Sequence, residues 1–406
     1  MSLITKPIVL DETLQALNHL IAHQNAAIDL IASDKRAAMV TDIATIAALA
    51  KNGELLEVMD YGEQIAMAWR EGGTEYTPAL NLCHESDELL EDQETIHGCF
   101  FEWDKTTPTG VPFDEPEAIY YFDGTESAGT YHILVGSEWG GWHVSNSIQF
   151  TLSEAPAADD QLVINCGVNN ANDPTNGREW KVYAKGGTTV KQSGTTSNGI
   201  SGVSLGTIGN VNIHTTNGRL NAISRVVYGY NRWSQSFLRQ WLNTTGLVGT
   251  YYVAQNPWDR PPAQATTLDG FLAGYSEDVI RHFKPIKVVT VACDADGNTE
   301  DVTYDRVFLS SLEQMYCVPQ FAGKEGEYWE YYKRLLGRTS PAPTYQTYTR
   351  LIKYALNAPT SARTCWGRSA NRYYANYAWI VYGSGGVDDT NAYYTYRCAP
   401  SVFISE

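Results

Sequence analysis

No two cysteines stand at metal-site or redox spacing. The seven present, Cys83, Cys99, Cys166, Cys293, Cys317, Cys365 and Cys398, are scattered and odd in number. Zinc clusters and dithiol motifs need close pairs, so neither is expected. Free, mostly buried thiols in a protein made in a reducing cytoplasm fit the pattern better. Whether Cys365 and Cys398 bond to each other stays open at this stage. Basic charge is also scarce. Against 46 Asp and Glu there are 29 Lys and Arg, a formal net charge of −17. Phosphate backbones are gripped by clustered cations, so nucleic acid is not an expected partner, and an anionic membrane surface is equally disfavoured. No apolar run reaches the roughly 18 residues of a membrane span, so no membrane insertion is expected. The opening MSLITKPIVL lacks a basic segment followed by a long apolar one. Synthesis in the cytoplasm is expected, with export only inside a particle or by lysis.

Catalytic signatures are missing too. None of the eight histidines lies beyond His282, and no GxSxG, HExxH or phosphate-cradling glycine motif occurs. No catalytic residue, cofactor or metal is assigned, and the chain is not expected to be an enzyme. The last absence is local. From residue 355 to 405 there is no Lys, Glu, Gln or Met, although Glu is common elsewhere.

What fills that stretch is informative. It reads CWGRSANRYYANYAWIVYGSGGVDDTNAYYTYRCAPSVFI over 365–404. Residues 365–369 and 396–404 have strand character, and Val402, Phe403 and Ile404 suit a buried terminal strand. Between them lie mainly Tyr, Asn, Ser, Asp, Gly, Ala, Arg and Thr, a composition close to an antibody paratope. Most are reachable from an Asn codon by changing its two adenines.

This segment resembles the variable region of diversity-generating retroelement target proteins of phage or prophage type. In that family, adenine-directed errors in reverse transcription rewrite a C-terminal patch on a C-type-lectin-type fold. NRWSQSFLRQWLN (231–243), YDRVFLSSLEQ (304–314), CWGRS (365–369) and YRCAPSVFI (396–404) resemble successive blocks of one such domain, over about half the chain. The resemblance implies a ligand- or receptor-binding protein, an adhesin of the virion that recognises a host cell-surface protein or glycan. It places the replaceable contact groups at Asn371, Tyr373, Tyr374, Asn376, Tyr377, Tyr382, Ser384, Asp388, Asp389, Asn391, Tyr393 and Tyr394. Trp366, Arg368, Trp379, Gly383, Gly385, Cys398, Pro400 and Phe403 become frame, with Arg368 buried and paired. Two alternatives stand beside this reading. One is a virion structural protein without diversification. The other is an enzyme of the formylglycine-generating type, which shares the fold but whose cysteine motif is not present around Cys365 or Cys398.

At 406 residues a chain of roughly two or three domains is expected. The expected class is α+β, with an N-terminal helical segment (1–52), a β-sandwich-like domain (53–156), a Gly/Ser/Thr-rich connector (157–210) and a C-type-lectin-like domain (211–406). Asp11 is a plausible N-cap of a helix, and Leu10, Leu14, Leu17, Ile21, Gln24, Ile28 and Ile31 form a heptad seam with one polar member, a candidate for self-association. A second helical run covers 43–49. Strands are expected at 55–61, 64–69, 100–103, 118–122, 129–135 and 148–152. Glu115, Glu117 and His132 are read as surface positions and not as an acid–base set. A linker (PAADD, 156–160) and strands at 162–166 and 180–184 follow.

Ser234 or Ser236 is expected to cap a helix carrying Phe237, Leu238, Trp241 and Leu242, with Arg232 and Arg239 paired to acids at its edge. Helical turns are expected after Asp269 and Ser276. A hairpin joins 287–293 to 300–304. Its turn carries Asp294, Asp296 and Asn298 on alternate residues, but the glycine and the final carboxylate are misplaced for an EF-hand loop, so a plain hairpin is expected there. Residues 307–309 read as strand, 310–315 as a short helix, 325–336 as a helix closed by Gly337, and 348–356 as a partial helix.

Overall fold

The computed structural model describes residues 42–114, 118–122, 124–138, 142–164, 179–185, 189–195, 197–198, 215–216, 219–220, 231–253, 255, 261–293, 298–319, 325–372 and 377–406. The heptad seam, Glu115, Glu117, Cys166, Asp294, Asp296, Tyr373, Tyr374 and Asn376 lie outside the described residues. The architecture is α+β: many small antiparallel sheets with a few short helices. Among the described residues, no helix is long and apolar enough to cross a membrane.

The chain enters through the helix Ile43–Lys51. Asp42 caps it, accepting from the backbone N–H groups of Ala44 at 3.3 Å and Thr45 at 3.2 Å. Two otherwise unpaired helical donors are thereby satisfied. Ile46, Ala47 and Ala50 are buried against the strands Thr95–Trp103 and Ser401–Ile404. The strand expected at 55–61 is instead a 3-10 turn, Leu55–Glu57, and a bend. Leu55 drops into the core there, and the chain reverses before reaching Gln64.

A five-stranded antiparallel sheet organises everything else. Its order is Gln64–Ala66, Ala79–Leu89, Thr95–Trp103, Ser401–Ile404, Val307–Phe308. The last strand of the chain therefore sits between an early strand and a late one. Val402 faces Phe101 on one side and Val307 on the other. This pairing crosses the expected boundaries: residues 64–103, assigned by sequence to a separate middle domain, complete the sheet that holds the C-terminus. The cause is visible in burial. Val402, Phe403 and Ile404 are almost wholly enclosed, so the strand needs hydrogen-bonding partners along both edges. Phe100 and Phe101 supply the matching apolar run, with Phe100 5.0 Å from the Phe403 ring.

The described strands between 118 and 198 form two smaller sheets. One runs Val190–Thr195, Glu179–Tyr183, Gln161–Ile164, Ala118–Tyr121; the other runs Ser197–Asn198, Trp142–Leu152, Gly129–Glu138. They share an aromatic cluster in which Phe150 lies 5.8 Å from Tyr131 and 5.5 Å from Trp180. The expected linker at 156–160 is a pinned turn. Phe122 donates to the Asp160 carbonyl at 2.9 Å, and buried Asp160 holds Lys191 at 2.7 Å.

Beyond residue 231 several expectations hold in detail. Ser236 caps Phe237–Leu242, whose Phe237, Leu238, Trp241 and Leu242 are all buried. Arg232 makes a two-pronged pair with Asp301, both distances 2.6 Å, and Arg239 reaches Asp305 at 2.7 Å. Ile286–Val291 pairs with Glu300–Asp305 as a hairpin, so these acids stand on the strand facing that helix. Other elements are shorter than their sequence suggests. Residues 310–315 form turns, and the helix near 325–336 is only Glu330–Leu336, ended by Gly337 in the left-handed region (φ 62°). The partial helix at 348–356 is a single turn, Thr349–Leu351, followed by the strand Lys353–Ala355 paired with Ala358–Arg363.

Candidate functional site

The C-terminal stretch builds a second sheet, ordered Val387–Asn391, Tyr377–Val381, Cys365–Ala370, Arg397–Cys398. Between its flanking strands, Tyr377–Val381 and Val387–Asn391 are themselves strands. Ala399 and Pro400 break the expected continuous strand 396–404 in two, and each half joins a different sheet.

Trp366 and Arg368 are frame. Trp366 donates its indole N–H to the Val111 carbonyl at 2.9 Å and lies 5.9 Å from the Phe113 ring. Arg368 is 2% exposed. One of its terminal nitrogens donates to the Leu309 carbonyl at 2.6 Å and to the Gln314 side chain, the other to the Glu325 carbonyl. Burial pushes its guanidinium down to about 10, with buried Glu325 opposing the shift most strongly. Glu325 in turn accepts from Ser369 and from the Val291 backbone. Arg368 and Ser369 thus tie the sheet to the layer beneath. Cys365 and Cys398 are buried and unbonded, as are the other described cysteines. Burial pushes the Cys365 thiol up to about 12 and the Cys398 thiol higher still, so both remain protonated thiols and poor nucleophiles.

The described residues expected as contacts are divided between the two sides: Asp388 pairs with Ile380, which pairs with Trp366, whereas Asp389 lies on the opposite side. Register pairs Tyr377 with Asn391 and Trp379 with Asp389, so these four share one side of the sheet. Trp379 is buried because Tyr345 covers it, ring centroids 5.2 Å apart. Tyr345 is held there by donating its hydroxyl to Asp389 at 2.6 Å. Asp389 also accepts from the Asn371 amide. Burial raises the Asp389 carboxyl above its ordinary range, while the bonds from Tyr345 and Asn371 pull it back. Ser384 is exposed at the turn between the two strands, and Tyr382 and Asp388 are half-buried beside it. Tyr394, 40% exposed, stands over a chain of rings: it lies 4.8 Å from Tyr393 and 5.9 Å from Tyr396, which lies 5.1 Å from Trp366.

Two expected contact residues are not on the surface. Asn371 is fully buried; its carbonyl accepts from the Asn231 amide at 3.2 Å and its side chain orients Asp389. Its polar side chain sits inside because the partner carboxylate satisfies it. Tyr393 is only 9% exposed and packs under Tyr394. Conversely, Tyr345, 60% exposed, was not expected on this face. It arrives from a separate loop, with its backbone in the left-handed region (φ 57°). The aromatic spacing around 345–348 was the one available signal.

Among the described residues, the patch offers phenol rings, amides and carboxylates. Among the described residues, no group of three or more His, Cys, Asp or Glu side chains is placed to hold a metal ion. Residues 210–404 match a family described as a domain of unknown function (DUF6273). The matched span contains the C-terminal sheet and the terminal strand, but not the strands between 64 and 103 that complete the central sheet. No curated protein matches the chain, and no solved structure does.

Proposed function

We propose that this chain is a ligand-recognition protein with a C-type-lectin-like C-terminal unit and a rewritable face, of the retroelement-diversified type. In this reading it is a phage or prophage virion adhesin that engages a host cell-surface protein or glycan. The N-terminal heptad segment would assemble copies, and the small sheets of 118–198 would serve as a sandwich-like scaffold. Neither nucleic acid nor membrane insertion has a part in it.

One observation carries the reading. Within a single stretch of sequence, Trp366, Arg368 and Trp379 are buried as frame, while Ser384, Asp388, Asp389, Asn391 and Tyr394 remain at least partly exposed. A face of that kind tolerates replacement because its side chains do not supply the core. Surface substitutions usually shift stability by about 0.5 kcal/mol or less. Pocket-filling tyrosines would contribute most of the affinity, each useful one by about 2 kcal/mol or more.

Two measurements test it. Sequencing the flanking DNA should reveal a near-copy of the codons for 366–397 beside a reverse transcriptase gene, differing at template adenines. Its absence would favour a non-diversified virion structural protein. Binding of labelled protein to host cells should fall when Ser384, Asp388 and Tyr394 are all replaced by alanine. Unchanged binding would take the face out of the account.

A further inference from the structure

Tyr345 lies outside the stretch read as replaceable, yet its ring stands on the C-terminal sheet, 60% exposed. Its loop is tied to the edge strand Val387–Asn391. The Tyr345 N–H donates to the Val387 carbonyl at 2.8 Å, the Val387 N–H to the Gln346 carbonyl at 2.9 Å, and the Tyr348 N–H to the Gly385 carbonyl at 2.7 Å. The Tyr348 hydroxyl closes the loop on the Pro343 carbonyl at 2.8 Å. With its ring tilted on Trp379 and its hydroxyl on Asp389, Tyr345 is fixed in side chain as well as backbone before any ligand arrives. A ring held in this way loses little entropy on binding.

The charge beside that ring is uncompensated. Val387 turns its N–H to the open edge of the sheet, so Asp389, two residues on, does the same. That N–H donates to the Asp388 carboxylate at 2.9 Å, which brings the Asp388 side chain round to the edge. Two half-buried carboxylates therefore lie along the rim that carries Tyr345. The charge acting on the Asp389 carboxyl is that of Asp388, of the same sign. Other enclosed acids have cations of their own: Asp301 has Arg232, Asp305 has Arg239 and Glu102 has Lys353. Asp388 and Asp389 have no such partner among the described residues.

An exposed phenol ring whose hydroxyl touches a carboxylate attracts a cation twice, through the negative face of the ring and through the charge. A guanidinium satisfies both, since it stacks on aromatic rings and its fork of N–H donors meets a carboxylate two at a time. An anion would meet two like charges. A neutral group would cover the carboxylates without pairing them. We propose that Tyr345 is a constant contact of the recognition face, and that with Asp388 and Asp389 it takes an arginine or lysine side chain of a protein partner, arginine the better. This rests on the recognition reading above and narrows its partner to a protein with an exposed basic side chain. The net charge of −17 steers such a partner toward the chain.

Saturation-transfer NMR on the full-length chain tests this with three short peptides at millimolar concentration: acetyl-Gly-Arg-Gly-amide, the lysine counterpart and the citrulline counterpart. Citrulline keeps the shape of arginine without its charge. The arginine peptide should bind saturably, about fivefold or more tighter than the citrulline peptide, and more weakly as salt is raised. Tyr345→Leu, Asp388→Asn and Asp389→Asn should each weaken it by about threefold or more. Tyr354→Leu, at an exposed tyrosine of the hairpin Lys353–Arg363, should leave it unchanged. Equal binding of the citrulline peptide would overturn the proposal. So would binding that none of the three rim variants alters in protein that still unfolds cooperatively. Absence of saturable binding by either cationic peptide would overturn it too. If Tyr394→Ala then still lowers attachment of labelled protein to host cells, the recognition face stands and its cationic partner alone falls.

Discussion

Lys353 and Glu102 offer the sharpest test of how the two halves of the chain are joined. Glu102 lies on the strand Thr95–Trp103 and is 2% exposed; Lys353 opens the hairpin leading into the C-terminal sheet and is 8% exposed. The ammonium donates to Glu102 at 2.7 Å and to the Trp103 carbonyl at 2.9 Å. Tyr332 and Ser310 donate to the same carboxylate. Burial alone would push the Lys353 ammonium down, yet Glu102 holds it well above its ordinary value. Lys353→Met would keep the hydrocarbon stem and leave a buried carboxylate with two neutral donors. Removing one partner of such a pair costs about 3–5 kcal/mol, against a total stability of about 5–15 kcal/mol for a domain. Pairing the change with Glu102→Gln removes the stranded charge and should recover most of the loss. Urea denaturation of the wild type, both single variants and the double variant measures the coupling directly. A Lys353→Met cost below about 1 kcal/mol, the value of a surface pair, would refute the claim that this contact is buried and essential.

Three further outcomes follow from local geometry. Burial lifts the Glu88 carboxyl to about 7, with Ser86 and Arg368 opposing and Glu327 and Asp87 adding to the rise. The folded state therefore holds this proton more tightly than the unfolded one, so stability should fall as pH rises from about 4.5 to 7; urea midpoints at pH 5 and 8 should differ less in Glu88→Gln than in the wild type. Gly385 sits at φ 87° with the Tyr348 carbonyl where a Cβ would be, so Gly385→Ala should lower stability by about 1–3 kcal/mol in thermal melts. Ser236→Ala removes the cap accepting from the Arg239 N–H at 3.2 Å and should cost about 1 kcal/mol by urea titration; no change would mean another group satisfies that donor.

Short-range chemistry was readable from sequence; long-range pairing was not. Ser236 followed by Phe237, Leu238, Trp241 and Leu242 announces a capped helix, and Arg232 and Arg239 beside it call for acids. Arg368 was expected to be buried and paired from the family resemblance of CWGRS, and it is 2% exposed and bonded to the Leu309 carbonyl. The strand Ala79–Leu89 went unseen because His84, Glu85, Asp87 and Glu88 dilute its apolar pattern. Nothing local tells Phe101 that Val402 is its neighbour, so the early strands were placed in the wrong unit. Asn371 was misplaced for a related reason: an Asn in a Tyr-rich run looks exposed until Asp389 is seen to satisfy it.

The central claim is that the C-terminal sheet is a frame whose outward groups can be exchanged without loss of the fold. Urea denaturation of the chain carrying Ser384→Ala, Asp388→Ala and Tyr394→Ala together, beside Trp379→Ala, tests it most directly. The triple variant should lose no more than about 1.5 kcal/mol, while Trp379→Ala loses about 3–5 kcal/mol. A triple variant as damaged as Trp379→Ala would contradict the account.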